Sequence, residues 1–191
     1  MQPTKQELQD LISGCLKNDR RCQQKIYEQF YGKMLGVCMR YANDLDSGKD
    51  LVQEGFIKLF ANLEKYKSDG SFEGWVRRIF VNNAIDSFRR KKHQEIVPEN
   101  DFKILNLADD KDEHEFLDEK EETIKPKDVI AAMQQLSPAY QMVFNLYVME
   151  NYAHQEIADE LGISVGTSKS NLAKARMNMR KLLKKQFADR L

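Results

Sequence analysis

Residues 152–183 read YAHQEIADELGISVGTSKSNLAKARMNMRKLL. A short amphipathic helix, with Ile157, Ala158 and Leu161 on its inner face, stops at Gly162. Glycine suits the left-handed residue that closes a helix. Ile163 and Val165 anchor the turn, and Ser164 fits as the N-cap of a second, basic helix. Leu172, Ala175, Met179 and Leu182 give that helix its apolar stripe. Helix, tight turn and basic helix in this order form the pattern of a DNA-binding helix-turn-helix. Early polar residues of such a second helix, here Thr167, Ser168, Lys169, Ser170 and Asn171, reach base edges. Later cations, here Lys174, Arg176, Arg180 and Lys181, hold phosphates. An ordinary helical hairpin is the plainer alternative.

The rest of the chain is helical in pattern too. Ile26, Phe30, Met34, Val37 and Tyr41 recur every three or four residues over 19–42, and a shorter helix is expected over 5–17. Asp44–Lys49 reads as a polar loop, 49–64 as a third helix, Lys67–Ser71 as a loop and 72–92 as a fourth helix. Residues 127–136 and 138–150 read as two more, the latter opened by Ser137-Pro138. Alternation of the strand kind is nearly absent. The expected fold class is all-α, with two small helical domains at 1–92 and 127–191 joined by a flexible acidic linker at 93–126.

Charge supports that division. Lys/Arg and Asp/Glu each number 30, so the net charge is zero. The balance is 17 basic against 12 acidic residues over 1–92, a net +5. It is 4 against 12 over 93–126, a net −8, and 9 against 6 over 127–191, a net +3. Basic blocks of this kind suit a polyanionic partner. Cys15, Cys22 and Cys38 lack metal-ligand spacing and read as free thiols of a reducing compartment. No metal, cofactor or catalytic motif is expected. No stretch approaches the ~20 apolar residues of a membrane span, so no membrane insertion is expected and the cytoplasm is the expected location.

Two helices carry mixed signals. In DLVQEGFIKLFANLEKY, from Asp50, the residues Val52, Phe56, Leu59, Phe60 and Leu63 form one apolar face. Asp50, Glu54, Lys58 and Asn62 recur every four residues on the other, with Gln53 beside them. That stripe changes from acid to base along its length. It suits either two partners or a solvated face matched to the helix dipole. In SFEGWVRRIFVNNAIDSFRRKK, from Ser71, aromatic Phe72, Trp75, Phe80 and Phe88 lie among Arg77, Arg78, Arg89, Arg90, Lys91 and Lys92. Aromatics beside cations suit single-stranded nucleic acid, where bases stack and phosphates are neutralised. Phe80 and Phe88 are more readily core residues. Asn82 and Asn83 have the groups to bond base edges.

DLVQEGFIKLF, then SFEGWVRRIFVNNAIDSFRRKK, then LSPAYQMVFNLYVMENYAHQEIADELGISVGTSKSNLAKAR together resemble the bacterial sigma-70 family of RNA polymerase sigma factors. Two helical domains with only a linker between them resemble its short extracytoplasmic-function (ECF) group. The resemblance implies a factor that binds core RNA polymerase, recognises and melts promoter DNA, and directs initiation without being an enzyme. It implies polymerase contact by Asp50, Gln53, Glu54 and Phe56, with Phe56 as a packing member. It places Lys58, Asn62, Tyr66, Ile79 and Asn82 around a pocket for a flipped base of the melted non-template strand. Lys67 and Ser68 lie in the loop against that base, and Trp75, Arg78 and Asn83 join the same minus-ten surface. It gives reading of the minus-thirty-five duplex to Ser164, Thr167, Lys169, Ser170, Asn171, Lys174 and Arg176. An anti-sigma factor is a further partner used in that group. Two residues depart from the family pattern: Ser168 stands where valine is usual and Asn171 where arginine is usual. The rival reading is a stand-alone helix-turn-helix regulator of duplex DNA.

Overall fold

The computed structural model describes residues 4–67, 70–94 and 125–188. Among these every regular element is helical. The chain divides into two compact units, Met1–Lys91 and Lys92–Leu191. The greater part of the expected linker, 95–124, lies outside the described residues.

The first unit starts with α1 (Lys5–Leu16), capped at Thr4, whose hydroxyl accepts from the Glu7 N–H while the Glu7 carboxylate accepts from the Thr4 N–H. This reciprocal box satisfies donors that the first helical turn leaves free. Asn18, in the left-handed region at φ 60°, turns the chain into α2 (Arg20–Cys38). That helix ends earlier than its apolar spacing predicts, because Arg40 and Tyr41 bond back to Val37 and Cys38 as turns rather than as continuing helix. Helix α3 (Leu45–Ala61) corrects the expected Asp44–Lys49 loop. Asp44 is an N-cap, its carboxylate accepting the Ser47 N–H at 2.7 Å, and Gly48 is buried within the first turns. The polarity that suggested a loop belongs to a capped helix start. A short 3₁₀ turn (Leu63–Lys65) leads on towards α4 (Phe72–Gln94), so the expected linker's first two residues extend that helix.

Ile26, Phe30 and Met34 of α2, Val52, Phe56 and Leu59 of α3, and Val76, Phe80, Val81 and Ile85 of α4 are buried together in this unit's core. Phe80 meets Phe56 edge-on, ring centroids 5.1 Å apart, and Phe30 meets Phe72 likewise at 5.5 Å. Helices α3 and α4 are antiparallel. Leu51 pairs with Asn83 and Gly55 with Phe80 on the core side, while Glu54 pairs with Arg90 and Lys58 with Asp86 on the solvent side. At Gly55 the Phe80 ring lies against the α3 backbone, and an added Cβ would come within 2.5 Å of it.

The second unit has α5 (Pro126–Met133), α6 (Pro138–Phe144), α7 (His154–Leu161) and α8 (Val165–Ala188). Pro126, expected in the linker, instead opens α5, where a missing N–H costs nothing. Pro138 opens α6 in the same way, and Ser137 precedes it as expected but makes no side-chain capping bond. The expected helix 138–150 is in two parts, because its second half widens into a π-helical turn, Asn145–Met149. Gly162 ends α7 at φ 61°, and the Ser164 hydroxyl accepts the Thr167 N–H at 2.9 Å to cap α8. Ala132, Met133 and Leu136 pack with Ala175 and Met179 of α8, flanked by Val129, Tyr140, Phe144, Leu182 and Leu183.

Gly55→Ala is expected to lower stability by about 1–3 kcal/mol, the usual cost of overpacking a filled core, although alanine is the better helix former by ~1 kcal/mol. Urea unfolding measured on both forms checks this, and a stability gain would mean that the Phe80 ring moves aside freely.

Candidate nucleic-acid interface

The antiparallel register of α3 and α4 decides where the polar stripes lie. Glu54 and Lys58 are successive residues of the α3 stripe, and their partners Arg90 and Asp86 are successive residues of the α4 stripe. Arg90 Nη2 lies 2.9 Å from Glu54 Oε2, and Lys58 Nζ lies 2.7 Å from Asp86 Oδ2. Each step of four residues up one helix is a step of four down the other. The four side chains in the pairs are each about half exposed, so the pairs form a solvated polar seam rather than buried bridges.

Asp50, Gln53 and Glu54 are exposed along α3, and Phe56 is buried between Tyr27 and Phe80. Phe56 therefore supports this surface from below. One further residue belongs there: Ile57 is 69% exposed, one turn from Gln53 and Glu54. Its sign in the sequence was a large apolar side chain on the polar side of an amphipathic helix.

Helix α4 separates its two adjacent asparagines. Asn82 is exposed, continuing the Arg78–Asn82–Asp86–Arg90 stripe. Asn83 is fully buried and donates through Nδ2 to the Leu51 carbonyl at 3.1 Å. Asn83 is thus corrected from a DNA-facing residue to a strut between α3 and α4. A 100° rotation between neighbouring helical residues is the reason. Arg78 is exposed and Ile79 half-buried. Lys58 and Asn62 are half-buried. Asn62 donates through Nδ2 to the Lys58 carbonyl at 2.8 Å and accepts from Lys65 Nζ at 2.7 Å.

Tyr66 and Trp75 come together, ring centroids 5.3 Å apart, over buried Phe72, which lies 5.0 Å from Tyr66 and 5.8 Å from Trp75. The Tyr66 hydroxyl donates to the Gly70 carbonyl at 3.2 Å. Both rings stay half-exposed, an aromatic platform beside Lys67 and Gly70. Lys67 is exposed there, and Ser68 lies outside the described residues. Phe80 is core, as expected.

In the second unit, α8 divides its early residues sharply. Lys169 and Arg176 are exposed, Lys174 and Ser170 half-buried, and Ser164 is exposed while capping the helix. Thr167 is only 8% exposed, its hydroxyl paired with that of Ser164 at 2.8 Å. Asn171 is 2% exposed, and its Nδ2 has no hydrogen-bond partner. Thr167 and Asn171 are therefore corrected from base-reading positions to inward ones. Ser168, fully buried, completes the group. The apolar stripe that the sequence begins at Leu172 runs back one more turn, through Ser168 four residues before Leu172 and Asn171 four before Ala175. Extending the stripe by that turn would have found both.

Ser168 has a partner that explains a serine there: its Oγ lies 2.9 Å from His154 Nδ1. The His154 ring stacks on Tyr147 at 4.5 Å, and the Arg176 guanidinium lies 5.8 Å from the Tyr147 centroid. Burial, then the charges of Lys169 and Arg176, hold the His154 imidazole below its usual pKa, so it is neutral at pH 7. The cysteines are free, and burial pushes Cys15 up to about 11 and Cys38 up to about 12. Among the described residues no cluster of His, Cys, Asp or Glu is placed to hold a metal, and no helix is long and apolar enough to cross a membrane.

Family descriptions match both units. "Sigma-70 region 2" matches residues 26–94 and "Sigma-70, region 4" matches 127–179, together more than half of the chain. ECF RNA polymerase sigma factor SigE of Mycolicibacterium smegmatis is 28% identical over 167 residues, covering 86% of this chain and 63% of its own length. The RNA polymerase sigma-H factor of Pseudomonas aeruginosa is 26% identical over 186 residues, covering 94% of this chain and 95% of its own. Among solved structures, the sigma factor RpoE of Bartonella quintana, in complex with the anti-sigma factor NepR, aligns with 84% of this chain and 96% of that chain, at 20% identity and a TM-score of 0.49.

The neighbouring asparagines give a direct check of the surface. Asn83→Ala is expected to cost about 1–3 kcal/mol, because it removes the side-chain bond to the Leu51 carbonyl, which keeps only its helical partner, and leaves a gap where a fully buried side chain stood. Asn82→Ala is expected to stay within about 0.5 kcal/mol of the parent, as exposed substitutions usually do. Thermal melting of the two variants side by side tests both, and equal losses would contradict the assignment.

Proposed function

The chain belongs to the sigma-70 family, in its extracytoplasmic-function group, and on that footing we propose how its surfaces divide the work of starting transcription. As a sigma factor it binds core RNA polymerase and gives it promoter specificity, while the polymerase carries out the chemistry. That work lies in the cytoplasm. The observation that carries the reading is the presence in one chain, in order, of two matched and separately packed units, each with a polar face left to solvent.

In the first unit, Asp50, Gln53, Glu54 and exposed Ile57 form the polymerase-binding face. An apolar side chain ringed by polar ones is the usual make-up of an interface centre. Lys58, Asn62, Arg78, Ile79 and Asn82 line the seam that takes the melted minus-ten strand, with Tyr66, Trp75 and Lys67 at its end. A base leaving the duplex loses stacking worth a few kcal/mol, and a half-exposed aromatic pair offsets part of that loss. In the second unit, Lys169, Ser170 and Lys174 meet the major groove of the minus-thirty-five element, and Ser164 and Arg176 meet its backbone. The acidic segment 93–126 suits a basic channel built for RNA. An anti-sigma factor that covers these same faces would hold the protein inactive.

Transcription reconstituted from purified core polymerase, this protein and a genomic fragment library tests the proposal. Defined start sites that depend on the protein are expected. Unchanged, scattered initiation would overturn it, and tight binding to duplex by the protein alone, without effect on the polymerase, would favour a stand-alone regulator. Asn82→Ala is expected to slow promoter opening by about 10-fold or more, the loss of roughly one hydrogen bond made in the open state. Its affinity for the polymerase should be unchanged. Permanganate footprinting and a polymerase-binding titration separate the two effects.

A further inference from the structure

We propose that His154, with Tyr147, Ser168, Lys169 and Arg176, forms a phosphodiester-binding corner, and that promoter DNA entering it is coupled to protonation of the imidazole. The inference rests on the duplex-reading role of the second unit and adds a proton to it. Neither the helix-turn-helix pattern nor the family match assigns His154 or Tyr147 a part in binding.

The corner is one continuous set of contacts drawn from three elements. Arg176 of α8 lies over the Tyr147 ring of the π-helical turn, Tyr147 stacks on His154 at the start of α7, and His154 meets Ser168 of α8. Ser168 holds Nδ1, which leaves Nε2 as the ring nitrogen available to a ligand. A hydroxyl suits this position in either charge state. It donates to Nδ1 of one neutral tautomer and accepts from Nδ1–H of the imidazolium, so protonation leaves the clip intact. Valine, usual here in the family, offers neither bond.

The electrostatics point to a missing anion. In the first unit, Arg90 and Lys58 are neutralised by Glu54 and Asp86. In the second, Lys169 and Arg176 are exposed and form no ion pair among the described residues, yet both act on the imidazole in the direction that keeps it neutral. Two carboxylates of α7 are engaged within their own helix. Glu156 is turned to its own helix start, accepting the Ala153 N–H at 2.7 Å, and Asp159 accepts from Gln155 at 3.0 Å. Glu150, half-buried, ends the π-helical turn. Two cations that lack a carboxylate partner, beside a neutral histidine, make a cradle in which a phosphate cancels the field opposing protonation. Binding then takes up a proton.

The sign follows. The free imidazole is neutral near pH 7, and the imidazole beside a phosphate is charged more readily. Affinity for DNA therefore rises as pH falls towards the free pKa. The gain is capped at about tenfold for each unit by which DNA raises the pKa.

Holoenzyme assembled on a promoter recovered from the fragment library is titrated from about pH 8 to about pH 6, the range in which histidine changes charge. The parent and His154→Gln are compared. Glutamine can keep a bond to Ser168 but does not titrate. The parent should gain up to about tenfold more affinity on acidification than the variant. In parallel, the His154 ring signals of the full chain are followed by NMR with and without a duplex of the upstream element, and its pKa should move up in the complex. This second measurement uses the parent chain, so a poorly folded variant leaves the question answerable. Identical pH slopes in parent and variant, or an imidazole pKa unmoved by the duplex, would overturn the inference while leaving the sigma-factor reading intact. Failure to bind any promoter at any pH would instead remove the reading on which it rests.

Discussion

The close packing of α3 on α4 at Gly55 is the constraint on which the first unit depends. With no side chain at Gly55, the Phe80 ring fits directly against the α3 backbone, and any Cβ would fall within 2.5 Å of it. That contact fixes the rotation of both helices at once. Once Phe80 points inward, Asn83 follows it into the core and bonds the Leu51 carbonyl, while Asn82 must point out. The same rotation brings Glu54 opposite Arg90 and Lys58 opposite Asp86. The polar seam is thus a consequence of the core contact behind it, and its register could shift only by moving a buried aromatic ring.

The second unit uses a different device. Helix α8 has polar residues on its inner face: Ser168, Asn171 and Thr167 are all buried. Polar groups so placed need partners, because an unpaired one costs about 1–3 kcal/mol. Ser168 has His154, and Thr167 has Ser164. Asn171 Nδ2 alone of these three residues' buried side-chain polar atoms has no hydrogen-bond partner. The inner face therefore specifies the seating of α8 by hydrogen bonding as well as by the apolar packing of Leu172, Ala175 and Met179. Lys169 and Arg176 are turned outward by the same choice, since they lie roughly opposite these positions on a 3.6-residue turn.

Much of this was legible in the sequence. The helices over 154–161 and from 165, the Gly162 stop and the Ser164 cap followed from apolar spacing and from the few residue types that end helices well. The all-α class followed from the same spacing throughout. What was not legible depends on contacts between distant segments. A polar run such as Asp44–Lys49 looks the same whether it is a loop or a capped helix start, until Asp44 is seen to bond Ser47. Two adjacent asparagines look alike until a second helix fixes which one faces inward. The match of Arg90 to Glu54 spans 36 residues and has no local sign. At Ser168 and Asn171 the sequence did mark two departures from the family pattern, but only burial reveals that both side chains face inward from α8.

The ion pairs of the seam then bear on how a surface can hold charge ready for a partner. Half-exposed pairs of this kind contribute about 0–1 kcal/mol each, since water already screens both charges and holding two long side chains still costs entropy. Their loss would hardly trouble a fold held by Phe56, Phe80 and their neighbours. Glu54 and Arg90 can therefore be exchanged for contacts with other molecules at little cost to the unit, whereas Asn83, a few residues away and fully buried, cannot. The seam keeps opposite charges close to each other when nothing else is bound, which limits indiscriminate attraction to polyanions. Lys169 and Arg176, with no such internal partner, carry their charge uncompensated. The two surfaces thus hold cations in opposite ways: Lys58 and Arg90 of the first unit lie against carboxylates, and Lys169 and Arg176 of the second do not.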